Sequence, residues 1–167
     1  MGETEKNLQA AFAGESQANR KYLAFAKKAD EDGYPGVAKL FRAAAEAETI
    51  HAHNHLDALK GVKSTLENLR EAYGGEHYEF TEMYPVFLTK SKEEKQGAAT
   101  KTFHYANEVE KIHGALYEDA INQLENAGKF RDKDYYVCRT CGYTVADNAP
   151  DNCPVCASKK DSFFKVS

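Results

Sequence analysis

The chain is 167 residues long, with 22 Lys and Arg against 26 Asp and Glu, a formal charge of −4 and a pI of about 5.9. That balance excludes the basic footprint of a nucleic-acid-binding domain, and no apolar run approaches the roughly 18 residues needed to span a bilayer. With 42% hydrophobic residues, 29% charged residues and only four prolines, the composition suits a mid-sized globular domain plus a small module, and excludes a disordered or collagen-like chain.

The opening residues, Met1-Gly2-Glu3-Thr4-Glu5-Lys6, have neither the basic nor the apolar segment of a secretory signal, so a cytoplasmic protein is expected. Ala-, Glu-, Lys- and Leu-rich stretches with apolar positions three and four residues apart then predict helices over about 4–30, 36–60, 76–96 and 98–126. Breakers separate them at Asp32-Gly33-Tyr34-Pro35-Gly36, Gly61, Gly74-Gly75, Gly97 and Gly128. Ser64-x-x-Glu67 is a capping-box pattern and predicts a short extra helix in the connection between the second and third. Pro85 falls inside the third stretch, where it should start, kink or distort the helix. Four helices with one longer crossover describe a four-helix bundle.

An internal repeat runs through the bundle. Aligning Phe41–Leu59 with Phe103–Ile121 at an offset of 62 gives 8 identities in 19, among them Glu48/Glu110 and His51/His113. Amphipathic helices share apolar positions by default, but not a Glu and a His in register, so the repeat predicts two helices that present the same groups to one centre. In Glu48-x-x-His51 and Glu110-x-x-His113 the two side chains share one helical face. A lone motif of this kind is usually a solvated surface pair. Two copies in register, joined by glutamates from the other helices, form the donor set of a dinuclear carboxylate site. Glu15 stands 33 residues before Glu48 and Glu79 stands 31 before Glu110, with Glu82 three residues after Glu79. Carboxylates with two imidazoles favour iron or manganese over a thiolate-loving metal, and so many buried anions need cations. His53 and His104 fall on the opposite face from their neighbouring ligands, and His77 precedes the ligands of its helix. Core packing is the simpler role for Tyr22 and Tyr117, and a satisfied, partly buried histidine for His55.

Near residue 128 the composition changes: residues 1–128 hold 15 basic and 21 acidic side chains and no cysteine, whereas 129–167 hold 7 and 5 and all four cysteines. The expected division is a bundle over residues 1–130 and a module over 131–167. The tail reads Cys138-x-x-Cys141-Gly142-Tyr143, then Cys153-Pro154-x-Cys156, the pattern of a tetrathiolate metal site. So short a segment has too small a core to fold without its metal, and tetrahedral sulfur leaves both zinc and iron open.

Taken together these motifs resemble the rubrerythrin family over essentially the whole chain. The matching segments include Ala13-Gly14-Glu15-Ser16-Gln17-Ala18, Glu48-Thr49-Ile50-His51, Tyr78-Glu79-Phe80-Thr81-Glu82-Met83-Tyr84-Pro85 and Glu110-Lys111-Ile112-His113, and in the tail the two cysteine pairs through Phe163-Phe164-Lys165-Val166. Arg139 departs from the proline that related knuckles often carry. The resemblance implies a ferritin-like di-iron four-helix bundle and a C-terminal rubredoxin-like domain with one iron, a position zinc can fill in recombinant material. It implies that Glu48 and Glu110 bridge two irons, that Glu15 and Glu79 are terminal ligands with His113 on one iron, and that Glu82 and His51 alternate on the other. It also implies reduction of hydrogen peroxide to water by an oxidoreductase that works as a homodimer or homotetramer. No G-x-G-x-x-G fingerprint is present, so electrons are expected from a protein donor, a rubredoxin or an NAD(P)H-dependent reductase. Two other readings stand beside it: a ferritin-like ferroxidase that stores iron, and a non-enzymatic bundle with a structural zinc ribbon.

Overall fold

The structure is a computed structural model and describes residues 2–166. The chain divides into two compact units, Met1–Lys63 and Ser64–Ser167. In the first, α1 (Glu3–Glu31) and α2 (Pro35–Ala58) form an antiparallel hairpin across a three-residue turn in which Gly33 takes φ +81°. The hairpin closes on small side chains. Ala38, Ala45 and Ala52, seven residues apart, bury one stripe of α2, and Ala26 and Ala29 are buried on α1. A stripe of alanines costs no rotamer entropy and brings two helix backbones close.

The second unit begins with α3 (Thr65–Tyr78), whose first turn carries the expected capping box: the Ser64 hydroxyl accepts from the Glu67 amide, and the Glu67 carboxylate accepts from the Ser64 amide at 3.2 Å. The short extra helix is not separate. α3 continues through a π-helical turn (Glu79–Met83) into α4 (Tyr84–Glu93), so Gly74 and Gly75 lie inside a continuous helical run. Each glycine costs the helix about 1 kcal/mol, which the packing of α3 along α5 (Gly97–Ala127) outweighs. The π turn also answers Pro85, which lacks an amide hydrogen and would press its ring on the carbonyl four residues back; the wider turn just before it relaxes that ladder. The α4–α5 turn again spans three residues, with Lys95 at φ +56° where the first hairpin has Gly33.

After the left-handed cap at Gly128 the chain turns back along its own α5. The Arg131 amide donates to Gln123 Oε1 at 3.0 Å, and Lys133 Nζ meets Asp119 at 3.0 Å. Three short antiparallel strands follow, β1 (Tyr135–Cys138), β2 (Thr144–Ala146) and β3 (Phe163–Lys165), in the order β2-β1-β3. The compact units therefore part at residues 63 and 64, because the cysteine module is packed on α5. No helix among the described residues is long and apolar enough to cross a membrane.

Candidate metal centres

In the first hairpin Glu15 on α1 and Glu48 and His51 on α2 bring one ligand atom each to within 4.8 Å of one another. His51 Nδ1 lies 2.9 Å from Glu48 Oε2 and 3.9 Å from Glu15 Oε1. One turn away the Asn19 amide clamps the two helices, donating to the Ala45 carbonyl at 2.7 Å and to the Thr49 hydroxyl at 2.8 Å. The second unit builds the same triad from Glu76 on α3 and Glu110 and His113 on α5. His113 Nδ1 stands 2.7 Å from Glu110 Oε2 and 3.8 Å from Glu76 Oε1. Gly114 holds α5 open to the opposing helix: a Cβ there would meet the Phe80 ring at 3.3 Å.

Glu15, Glu48 and His51 thus come together in one group and Glu110 and His113 in another, where Glu76 supplies the third ligand atom. Glu79 is half-buried beside the triad, its carboxyl pushed up by burial and by the Glu110 charge. Glu82, after the start of the π turn, is exposed and outside both groups. The sequence did carry a signal for Glu76. It stands 34 residues before Glu110, closer to the 33 between Glu15 and Glu48 than the 31 of Glu79, and Gly75-Glu76 repeats Gly14-Glu15. His53, His77 and His104 are exposed, and Tyr22 packs its ring with Phe25 and Phe41. Tyr117 lines a cavity of about 390 Å³ with His113, Leu116, Phe130, Tyr135 and Thr144.

Charge is crowded in the second triad. Burial first, and then the Glu110 carboxylate, push the Glu76 carboxyl up to about 7. The hydrogen bond to Glu110 holds the His113 imidazolium above its ordinary range against the pull of burial. Carboxylates that resist ionisation because they face one another form a site that a cation would relieve.

The four cysteine sulfurs also lie within 4.8 Å of one another. Cys138 and Cys156 are 3.7 Å apart and Cys141 and Cys153 are 3.5 Å apart, near the roughly 3.8 Å edge of a tetrahedron with metal–sulfur bonds of about 2.3 Å. The knuckles repeat each other: the Gly142 amide donates to the Cys138 carbonyl and the Ala157 amide to the Cys153 carbonyl, both at 2.9 Å. Both follow-on residues are left-handed, Gly142 at φ +85° and Ala157 at φ +61°. Arg139 lays its guanidinium over the Phe164 ring, 4.5 Å from the centroid.

Two carboxylate–carboxylate–imidazole triads on helical hairpins, together with a tetrathiolate module in the same chain, define a helical non-haem metalloprotein whose oxygen and nitrogen donors suit iron and whose sulfur site suits iron or zinc. Residues 6–121 match the profile of the family described as Rubrerythrin, and residues 136–164 match that of the rubrerythrin rubredoxin-like domain. Rubrerythrin-2 of Clostridium acetobutylicum is 36% identical over 93% of this chain and 92% of its own length. Nigerythrin of Nitratidesulfovibrio vulgaris is 35% identical over 98% of this chain and 86% of its own. A solved structure of fully reduced, all-ferrous nigerythrin aligns with 99% of this chain and 88% of its own at a TM-score of 0.59 and 34% identity. The chain belongs to the rubrerythrin family. Its cofactors are those of that family, a di-iron centre held by Glu and His side chains and one iron held by four cysteines.

Proposed function

We propose that this protein is an oxidoreductase that reduces hydrogen peroxide to water, taking electrons through its cysteine module from a rubredoxin or an NAD(P)H-dependent reductase. One contact carries the reading. His113, in a triad suited to redox iron, is hydrogen-bonded at 3.0 Å to Thr144 of the module that binds the third iron. A thiolate-bound iron moves single electrons, and a centre that gathers two of them suits a two-electron oxidant.

The reaction balances as H₂O₂ + 2 H⁺ + 2 e⁻ → 2 H₂O. When bound, an iron pair supplies the two electrons, one from each metal. The chain's own part is to hold, to balance charge and to keep protons near. Glu15, Glu48 and His51 in one unit, and Glu76, Glu110 and His113 with Glu79 beside them in the other, would hold the irons. Tyr84 and Tyr117 keep their phenolic protons at neutral pH, because burial and then the nearby carboxylates push both groups up. Exposed Leu40 and Ile50 on α2 and Val86 on α4 offer the apolar surface that a homodimer or homotetramer covers.

The test is anaerobic. Fully reduced, iron-loaded protein should consume about one peroxide per iron pair in a single turnover. With a reductase and NAD(P)H it should then turn over repeatedly. Cys141→Ser should keep the single turnover, lose the visible absorption of the thiolate iron and lose sustained turnover. Peroxide consumption no faster than that of free ferrous ion would overturn the reading, and growth of a ferric mineral would replace it with iron storage.

A further inference from the structure

Each hairpin builds half of a dinuclear donor set, and the connection between the two is short. Ala58 ends α2 and Thr65 begins α3, so six residues join them. The first three coil back on α2: the Lys60 amide donates to the Asp57 carbonyl at 2.9 Å, and the Gly61 amide to the Leu56 carbonyl at 3.0 Å. A Cβ on Gly61 would run into the Leu56 side chain, so this turn is tight. At the far end Ser64 is held in the capping box of α3.

A ferritin-like bundle has one long crossover, which returns along the bundle so that its second and third helices run the same way. Glu48 stands ten residues before the end of α2, and Glu76 eleven residues after the start of α3. At 1.5 Å per residue these are about 15 Å and about 17 Å. For both triads to meet at one level in that arrangement, α3 must therefore start about 32 Å along the axis from the end of α2. Fully extended, the chain from Ala58 to Thr65 reaches only about 25 Å, and with the turn at Gly61 in place about 11 Å. The crossover that the sequence pattern suggests is too short to be made. Exposure agrees with this. The buried apolar residues of the first unit are all alanines, while Phe25 is 47% and Leu40 68% exposed. Each lies about 80° around its helix from Glu15 or Glu48, on the ligand side.

We infer that each dinuclear centre is shared between two copies of this chain. The α1–α2 hairpin of one copy closes on α3, α4 and α5 of the other, and the exchange is reciprocal, so a dimer holds two centres. This rests on the reading of the two triads as one di-iron donor set. A hairpin that arrives on a separate chain is not limited by the reach of residues 59–64, so it can lie in the direction that the bundle requires. An exchanged element of this kind is a two-fold symmetric device, in which the same surfaces meet twice. It covers the apolar ligand side of the first hairpin, and it makes a lone chain unable to complete its own metal site.

The experiment co-produces two full-length variants with different affinity tags, Glu48→Ala and Glu110→Ala, and selects assemblies that hold both. Cobalt(II) binding to the carboxylate sites is followed by visible absorption, with the cysteine sites already filled with zinc. In a mixed dimer of shared centres, one centre loses both glutamates and the other keeps both. The mixed assembly should therefore bind cobalt with wild-type affinity at about half the wild-type number of centres. Each variant alone should bind at least about tenfold more weakly at all of them, the least that loss of even an outer partner costs. If each chain closed on itself, every centre would lack one glutamate, and a mixed assembly that binds like its parents would overturn the inference. Size-exclusion chromatography of the wild type should give a dimer or a multiple of one. A monomer with full cobalt binding would overturn the inference as well. Glu48→Gln and Glu110→Gln, which keep the side-chain shape, replace the alanine variants if those fail to fold. The cobalt count uses no peroxide, so failure of the peroxidase reading would leave it able to decide which chain supplies each half of the centre.

Discussion

The two hairpins assemble one triad in different surroundings. In the first, His51 keeps 54% of its side-chain surface in solvent; in the second, His113 keeps 28% and is bonded on its far edge to Thr144. Matching Glu15 to Glu76 sets Ala18 opposite Glu79, so the second hairpin has one carboxylate more. The same three donors are therefore open in one place, and enclosed, crowded and tied to the cysteine module in the other. The difference teaches that a repeated motif fixes which atoms face a metal, while the elements packed around it decide how strongly charge and geometry are held.

The bluntest way to break this comparison is to remove the two glutamates that it treats as equivalent. Glu48→Ala and Glu110→Ala should each lower peroxide turnover by more than the roughly 10–100-fold that loss of an outer partner costs. His53→Ala, exposed on another face of α2, should stay within about twofold of wild type. Equal losses from all three, measured as steady-state rate per bound iron, would undo the face assignment. A sharper cut lies within the third helix. Glu76→Gln should lower the iron content of purified protein, whereas Glu82→Gln should leave it unchanged; the reverse result would restore the ligand set expected from sequence.

That second pair of variants marks where the sequence stops being readable. The 3–4 periodicity reveals the helices, Ser64 and Glu67 announce their capping box, and the spacing of Cys138, Cys141, Cys153 and Cys156 reveals the thiolate site, because each of these signals is local. The Glu48/His51 and Glu110/His113 pairs are legible because the repeat sets them side by side. Glu76 is obscured by Gly74-Gly75, which imitate a helix break, and by Glu79 and Glu82, whose three-residue spacing offers a carboxylate pair of its own. Thr144 has no local signature at all. Its role depends on a linker folding back on α5, a tertiary event.

A smaller effect separates the hairpins by pH. In metal-free protein the Glu76 carboxyl at about 7 lies above its ordinary 4.5, so between those values the native state binds more protons than the unfolded chain. Stability from this group falls as pH rises through that window. His113, raised by its bond to Glu110, contributes stability that is full below 6.5 and is lost as pH rises through its native value. Both have the same sign, so metal-free protein should melt at a lower temperature at pH 8 than at pH 5.5, and Glu76→Gln should flatten that slope. Metal affinity should run the other way, rising with pH as ligands lose their protons. A metal-free Tm that rises across this range would contradict the crowding described for the second triad.

The smallest expected effect lies in the turns. Lys95 holds a left-handed conformation that Gly33 adopts freely in the first hairpin. Lys95→Gly should leave stability unchanged or raise it by up to about 1 kcal/mol, and Gly33→Ala should lower it by about 1 kcal/mol, both read by thermal melts.

The π turn of the second hairpin has a consequence for how this chain tolerates gained and lost residues. Sixteen positions separate Glu15 from the end of α1, and seventeen separate Glu76 from the end of α4. Both turns are three residues long, and both return helices run thirteen positions to their Glu-x-x-His. The hairpins thus differ by one residue, and the widened turn at Glu79–Met83 lies within the segment that holds it. An α-helix with one residue added would normally pass a 100° rotation to everything beyond. Here a single wide turn takes up the surplus, so the ends of a duplicated hairpin stay in phase while its middle acquires a carboxylate that the first copy lacks. An insertion of this kind is a route by which two equal halves become unequal without either losing its Glu-x-x-His.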